Sequence, residues 1–179
     1  VDKAVEFSEQ EPVFKWETMR DAGLHTLHYE RAVYGRVFEV ELLSGPKVQV
    51  FRAEDGRFYF CHGLTFGGKH APGGAVSPFS GKDVRTIVAN HYRLVDPESG
   101  AVPGDILVWR GLGDDTPHSA IMVEPVVQQG KTFLDGSSKV RTKNGRLPET
   151  EMTLERLTGD EYSYGDSFDV FRRSLTRGV

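Results

Sequence analysis

The sequence has a single cysteine, Cys61, among 179 residues. No disulfide can form within the chain, and a zinc site built on paired cysteines is excluded. No apolar run comes near the roughly 20 residues that a membrane-spanning helix needs. The stretch VDKAVEFSEQEPVF shows no basic segment followed by an apolar one, so no secretory leader is read there. A basic excess is lacking as well. The 22 lysines and arginines face 26 acids, for a net charge of −4 and a pI near 5.9. A chain that lives on phosphate contacts ordinarily carries the opposite sign, which argues against nucleic acid as a partner.

Cofactor signatures are equally sparse. Gly111-Leu112-Gly113-Asp114-Asp115-Thr116 nearly spells a dinucleotide fingerprint but ends in threonine, with no long helix after it. Ser80-Gly81-Lys82-Asp83 lacks the upstream glycine and the hydroxyl residue of a phosphate loop. No G-x-S-x-G elbow occurs. A zinc site from Cys61, His62 and His70 would need unusual spacing. The expectation is therefore no cofactor and no metal.

What is present is globular. Apolar residues make up 38% and charged residues 27%, enough for a sizeable core in one domain. Residues 1–35 read as an N-terminal extension, with a short helix expected around Trp16–Arg20 and ended near Gly23. Residues 36–179 read as the domain itself. From Arg36 the pattern takes a period of two: Phe38, Val40 and Leu42 alternate with Glu39 and Glu41. Ser44-Gly45-Pro46 breaks the run, Lys47–Arg52 resumes it, and Asp55-Gly56 turns the chain into Arg57–Phe60. This predicts three strands joined by tight turns.

Cys61 follows directly. Beyond it, the pairs Gly67-Gly68 and Gly73-Gly74 with Pro72 and Pro78 predict an irregular loop after at most two helical turns. Ser80 to Asp83 has the form of a capping box, and Val84, Ile87, Val88 and His91 continue at helical spacing, predicting a helix over about 81–93. After a turn-rich stretch, Ile106–Trp109 and His118–Val127 read as strands. Gln128-Gln129-Gly130 then turns into a strand over Lys131–Asp135. If the last two pair antiparallel, the ends bearing His118 and Asp135 meet. Glu151–Leu157 reads as a short helix and Ser167–Arg173 as a final strand. Lys139, Arg141, Lys143 and Arg146 read as a solvated basic face.

Thiol catalysis needs an anionic sulfur, a histidine that accepts and returns a proton, and a group that fixes that histidine's tautomer. A cysteine where a strand passes into a helix gains the helix dipole and unpaired N–H groups. Of the six histidines, His25 and His28 lie in the unreadable N-terminal stretch and His70 in the glycine loop. His91 completes an apolar helix face. His62 neighbours the cysteine, but adjacent helical residues point about 100° apart. His118 opens an apolar strand with no packing reason to be there. Elimination leaves Cys61 as nucleophile, His118 as base and Asp135 as the orienting carboxylate.

The strings FYFCHGLTFGG, VPGDILVW, HSAIMVE and TFLDGSS, in that order, resemble the NlpC-type cysteine peptidases of the papain-like superfamily, with their amidase branch. The resemblance covers roughly residues 57–140. It implies an α+β, papain-like (NlpC-type) core in which the cysteine-bearing helix packs on an antiparallel sheet. It implies Cys61 as nucleophile, His118 as base and a third polar residue aligned with Asp135, with Ser138 close by in register. A tyrosine upstream of the cysteine often assists the family's oxyanion hole, and Tyr59 is the nearest candidate. Phe60-Cys61-His62-Gly63 replaces the family's usual Asp-Cys-Ser-Gly, which places the chain in a divergent branch.

The expected activity is thiol-dependent cleavage of an amide, either a peptide crosslink of the kind found in bacterial cell walls or a protein side-chain amide. The expected partner is a peptide or amide substrate, with no membrane span. An effector domain would also fit the size, and a cognate inhibitor protein would then be a further partner. Two other readings use the same fold: a binding domain with a buried, inert cysteine, and an acyltransferase that delivers the acyl group to an amine or lipid. Cytoplasmic residence and export by a non-classical route are both compatible with the sequence.

Overall fold

The computed structural model describes residues 13–28, 33–96, 100–128, 131–145 and 147–174. The stretch expected to hold a short helix forms instead the long strand β1 (Phe14–His28), paired antiparallel with β2 (Val33–Leu42). Their register slips between Lys15 and Arg20 and again between Asp21 and Leu24. Each slip inserts unmatched residues and destroys the two-residue alternation by which a strand is recognised in sequence. Gly23 sits at the second slip with φ +77°, a left-handed conformation that favours glycine, and its N–H donates to Asp21 Oδ1 at 2.7 Å. Val13 and Phe14 are buried in the main core, so the chain from Val13 onward is part of the fold rather than an appendage to it.

The period-two pattern after Arg36 produces β2 and β3 (Lys47–Ala53), with Val40 opposite Val48 and Phe38 opposite Val50. Both strands change the face they bury along their length. Val40, Leu42, Val48 and Val50 enter the main core, whereas Val37, Phe51 and Ala53 join Phe60 in a second cluster. The expected third strand at Arg57–Phe60 does not form. Its aromatics are used as packing groups: Phe60 stacks on Phe51 and meets Phe58 edge to face. The position beside β3 goes to the two-residue β4 (Ser77–Pro78), completing a four-stranded sheet in the order β1-β2-β3-β4.

Helix α1 (Cys61–Thr65) follows Phe60, and a 3-10 turn spans Gly68–His70. Helix α2 (Gly81–His91) starts at the expected capping box, with Ser80 and Asp83 bonded reciprocally. Val84 and Ile87 are fully buried, and His91 is buried with Nε2 3.1 Å from Ser44 Oγ.

The second sheet holds β5 (Tyr92–Val95), β6 (Ile106–Trp109), β7 (Ser119–Glu124), β10 (Lys139–Lys143), β11 (Glu149–Thr153) and β12 (Phe168–Arg173), in the order β11-β10-β7-β6-β12-β5, all antiparallel. Helix α3 (Leu154–Thr158) follows β11 directly, where a longer helix was expected. The architecture is α+β, with three α-helices among the described residues. Both faces of β6 are covered. Ile106 and Val108 face the main core, while Leu107 and Trp109 face a third cluster with Met122, Val140 and Leu157. A strand buried on both faces reads as a continuous apolar run, as Ile-Leu-Val-Trp does.

Pro125 separates β7 from β8 (Val126–Gln128), which pairs with β9 (Lys131–Phe133) as a ribbon outside the main sheet. The neighbour of β7 is therefore not the Lys131–Asp135 segment but β10. Proline supplies no N–H to a ladder, so the run read as one strand from His118 to Val127 becomes two.

Asp105 ties the second sheet together. It is 1% exposed, its carboxylate accepts two bonds from Arg172 on β12 at 2.8 and 2.9 Å, and it also accepts the Val102 N–H at 2.9 Å. Its backbone carbonyl receives the Met122 N–H of β7 at 2.7 Å. Removing one member of a buried pair costs about 3–5 kcal/mol, less where one partner is partly exposed as Arg172 is. Asp105→Asn is expected to lower unfolding free energy by roughly 2–3 kcal/mol, read as a shift in urea midpoint with an unchanged slope.

Candidate active site

Phe60 enters α1 in an extended conformation, φ −105° and ψ −177°, and its N–H donates to Ser77 Oγ at 2.9 Å. The helix packs against β7, β10 and β4. Close docking requires Gly63: a Cβ there would lie 2.6 Å from Ser77 Oγ and 2.8 Å from the Val76 carbonyl. Cys61, at the helix start, is 2% exposed.

His118 lies immediately before β7 and is fully buried. Its ring stacks on Tyr164 at 3.9 Å between centroids with 6° between planes, and Trp109 flanks it at 5.3 Å. Trp109 is itself anchored by Nε1 donating to the Gly165 carbonyl at 2.7 Å. His118 Nε2 is 2.8 Å from Thr142 Oγ1, and Thr142 Oγ1 donates to Asn144 Oδ1 at 2.9 Å. Because the threonine proton is used on Asn144, His118 Nε2 must donate to the threonine. In the neutral ring Nδ1 is then the basic nitrogen, and it is buried without a hydrogen-bond partner. A buried nitrogen left unpaired costs roughly 1–3 kcal/mol.

Burial by itself would push the Cys61 thiol up. The charges of His62 and then His118 outweigh it and hold the thiol well below its ordinary value. The helix dipole is a lesser contributor. At a helix terminus it is worth about 0.3–1 kcal/mol, less than the ~1.4 kcal/mol of one pKa unit. An inert core cysteine would show the opposite direction.

Cys61 and His118 are thus brought together. Asp135 is not with them. It is exposed in the turn between β9 and β10, where its carboxylate accepts from the Ser137 N–H and hydroxyl at 2.8 and 2.7 Å, and its own N–H donates to Ser138 Oγ. Those Ser137 bonds, the side-chain one first, hold its carboxyl below the usual range. The group on the His118 ring is Thr142, because β10 and not the 131–135 segment lies beside β7. Ser138 belongs to the same turn as Asp135 and does not reach His118 either.

Tyr59 is also committed elsewhere. Its hydroxyl donates to Glu149 Oε2 at 2.5 Å, and burial together with that carboxylate pushes the phenol up. Glu149 is nearly buried and further accepts from Lys69 at 3.0 Å and from Arg141, while Lys143 donates to the Gly145 carbonyl. Arg141 and Lys143 are therefore structural, not a solvated basic face; Arg146 lies outside the described residues. His25 and His70 are exposed, and the His28 side chain lies outside the described residues.

Sequence reasoning missed Thr142, Asn144, Tyr164 and the part played by His62. Pro125 was the available signal for the first two, since it moves the neighbour of β7 from the 131–135 segment to the one after it. Among the described residues no three His, Cys, Asp or Glu side chains converge as a metal site would need, and no helix is long and apolar enough to cross a membrane. No protein-family model matches the chain, and neither a curated protein nor a solved structure does so.

A lowered thiol is deprotonated, and so nucleophilic, at pH values where an ordinary thiol near 8.5 is still protonated. Alkylation of Cys61 by iodoacetamide is expected to stay fast well below pH 8 and to fall only as pH drops through the lowered value. His118→Ala should move that midpoint upward. A wild-type midpoint at or above the ordinary value would remove the basis for the site.

Proposed function

We propose that this chain is a cysteine-dependent amide hydrolase with a papain-like, NlpC-type core, in which Cys61 is the nucleophile and His118 the general acid and base. Thr142, backed by Asn144, takes the orienting role. The observation that carries the reading is a buried cysteine whose thiol is lowered rather than raised, beside a histidine whose tautomer is set by a hydrogen-bond relay.

In this mechanism the Cys61 thiolate adds to the amide carbonyl carbon, and the carbonyl electron pair moves to oxygen. His118 Nδ1, which took up the thiol proton when the thiolate formed, then gives that proton to the amide nitrogen; the C–N bond breaks and the amine leaves, with an acyl-thioester remaining on Cys61. Water attacks that thioester, giving its proton to Nδ1, and the C–S bond breaks to release a carboxylic acid and regenerate the thiolate. Throughout, Nε2–H stays on Thr142, so one nitrogen alone shuttles the proton. Stacking of Tyr164 on the ring keeps Nδ1 aimed during both steps. The substrate class is a peptide amide, a wall-type peptide crosslink or a protein side-chain amide.

Incubation with a panel of crosslinked wall peptides and glutamine-containing proteins is expected to give turnover and, by intact mass, an acyl adduct on Cys61. Cys61→Ala should abolish both while leaving the circular dichroism spectrum unchanged. Thr142→Val should lower kcat by about 100-fold, at the low end of the range for general acid–base catalysis, whereas Asp135→Asn should leave it unaltered. Turnover retained in Cys61→Ala, or lost in Asp135→Asn and kept in Thr142→Val, would overturn the assignment.

A further inference from the structure

We infer that His62 is a positioning residue held as a doubly protonated imidazolium, a fixed cation that keeps Cys61 anionic while His118 is left to move protons. This rests on the reading of Cys61 as the nucleophile, and it follows from counting hydrogens around the His62 ring.

Thr65 Oγ1 lies 3.0 Å from the Cys61 carbonyl, and a carbonyl oxygen can only accept, so the Thr65 proton is used there. Ser119 Oγ lies 2.8 Å from Thr65 Oγ1, which has no proton left to give; the Ser119 proton is therefore used on Thr65. His62 Nδ1 lies 2.7 Å from Ser119 Oγ, which in turn has no proton left, so Nδ1 must carry one and donate it. On the other side of the ring, Nε2 lies 2.6 Å from the Thr116 carbonyl and must donate as well. Both nitrogens are protonated. A neutral imidazole would leave one lone pair facing another at hydrogen-bond distance.

The acids near α1 are exposed or already paired: the loop that bonds His62 through Thr116 carries Asp114, beside Arg85, and Asp115, both exposed. Ser77 and Pro78 of β4 carry no charge. The 3-10 turn brings Lys69 and His70, β10 brings Lys139, Arg141 and Lys143, and β7 brings Glu124, which is exposed beside Lys139. Glu149 on β11 is taken up by Tyr59, Lys69 and Arg141. The His62 charge acts on the Cys61 thiol and favours its anion. His118 lies on the same thiol, so the two rings divide the work, one by charge and one by proton transfer.

The chain of hydroxyls makes the test specific. Thr65→Val keeps the side-chain shape but removes the acceptor for Ser119, whose proton can then turn toward His62 Nδ1 and admit the neutral ring. Imidazole 15N spectra of the wild-type protein at pH 7 are expected to show both His62 nitrogens protonated. Thr65→Val should show one unprotonated nitrogen and a Cys61 alkylation midpoint about one pH unit higher, which is a rate about tenfold slower at pH values below both midpoints. His62→Gln, an uncharged donor and acceptor, should slow alkylation at least as much. An unprotonated His62 nitrogen in wild type at pH 7, or an alkylation rate unchanged in both variants, would overturn the inference. These readouts need no substrate. A chain that shows them but never acylates Cys61 would fail the hydrolase reading alone, and one that turns over amides with a neutral His62 would fail this inference alone.

Discussion

The docking of a five-residue helix against strand β7 sets the surroundings of Cys61. So short a helix has little stability of its own, since isolated helices below roughly 12 residues are marginal in water. Tertiary contact must hold it, and two features do so. Gly63 lets its backbone approach Val76 and Ser77 closely, and the Thr65–Ser119–His62 bonds lace one side of it to β7 and to the loop before that strand. The same contact that fixes the helix buries Cys61 and sets both imidazoles against it. Stability of the element and ionisation of the thiol are therefore one event and not two.

Burial and charge oppose each other at Cys61, and their balance is the decisive quantity. A thiol nearly removed from water is disfavoured as an anion. Two imidazoles reverse the outcome, as expected where opposite charge sits within a few ångströms in a medium less polarisable than water. Each ring is held by different means. His118 is clamped between Tyr164 and Trp109 and oriented through Thr142 and Asn144. His62 is spanned between a backbone carbonyl and a serine. The His118 ring is oriented by a hydroxyl and an amide, which sets this site apart from a cysteine–histidine–acid triad.

Much of this was legible in the sequence where a single local rule applied. The capping box at Ser80–Asp83, the β6 strand at Ile106–Trp109 and the helix start at Cys61 follow from neighbours along the chain. What escaped depends on register or on contacts across elements. The bulges of β1 erased its alternation, and β5 is short, with Arg93 and Leu94 exposed. Arg57–Phe60 has strand-forming residues, yet its aromatics were needed to fill the cluster around Phe51. At the candidate site, Cys61 and His118 were singled out because their residue types have few other uses where they occur. The third position depended on which strand lies beside β7. Pro125 altered that, so the His118 ring meets Thr142 and not Asp135. The part of His62 was lost because adjacency was judged by whether side chains face each other, whereas charge acts without facing.

The central claim is that Cys61 is an anion at neutral pH in the folded chain. With one cysteine in the sequence, the ultraviolet thiolate absorbance of the native protein, taken as the difference from Cys61→Ser, reports that residue alone. The account predicts a single step in absorbance on raising pH, centred well below the ordinary thiol value of about 8.5. A step at or above that value, or absent until the protein unfolds, would contradict it.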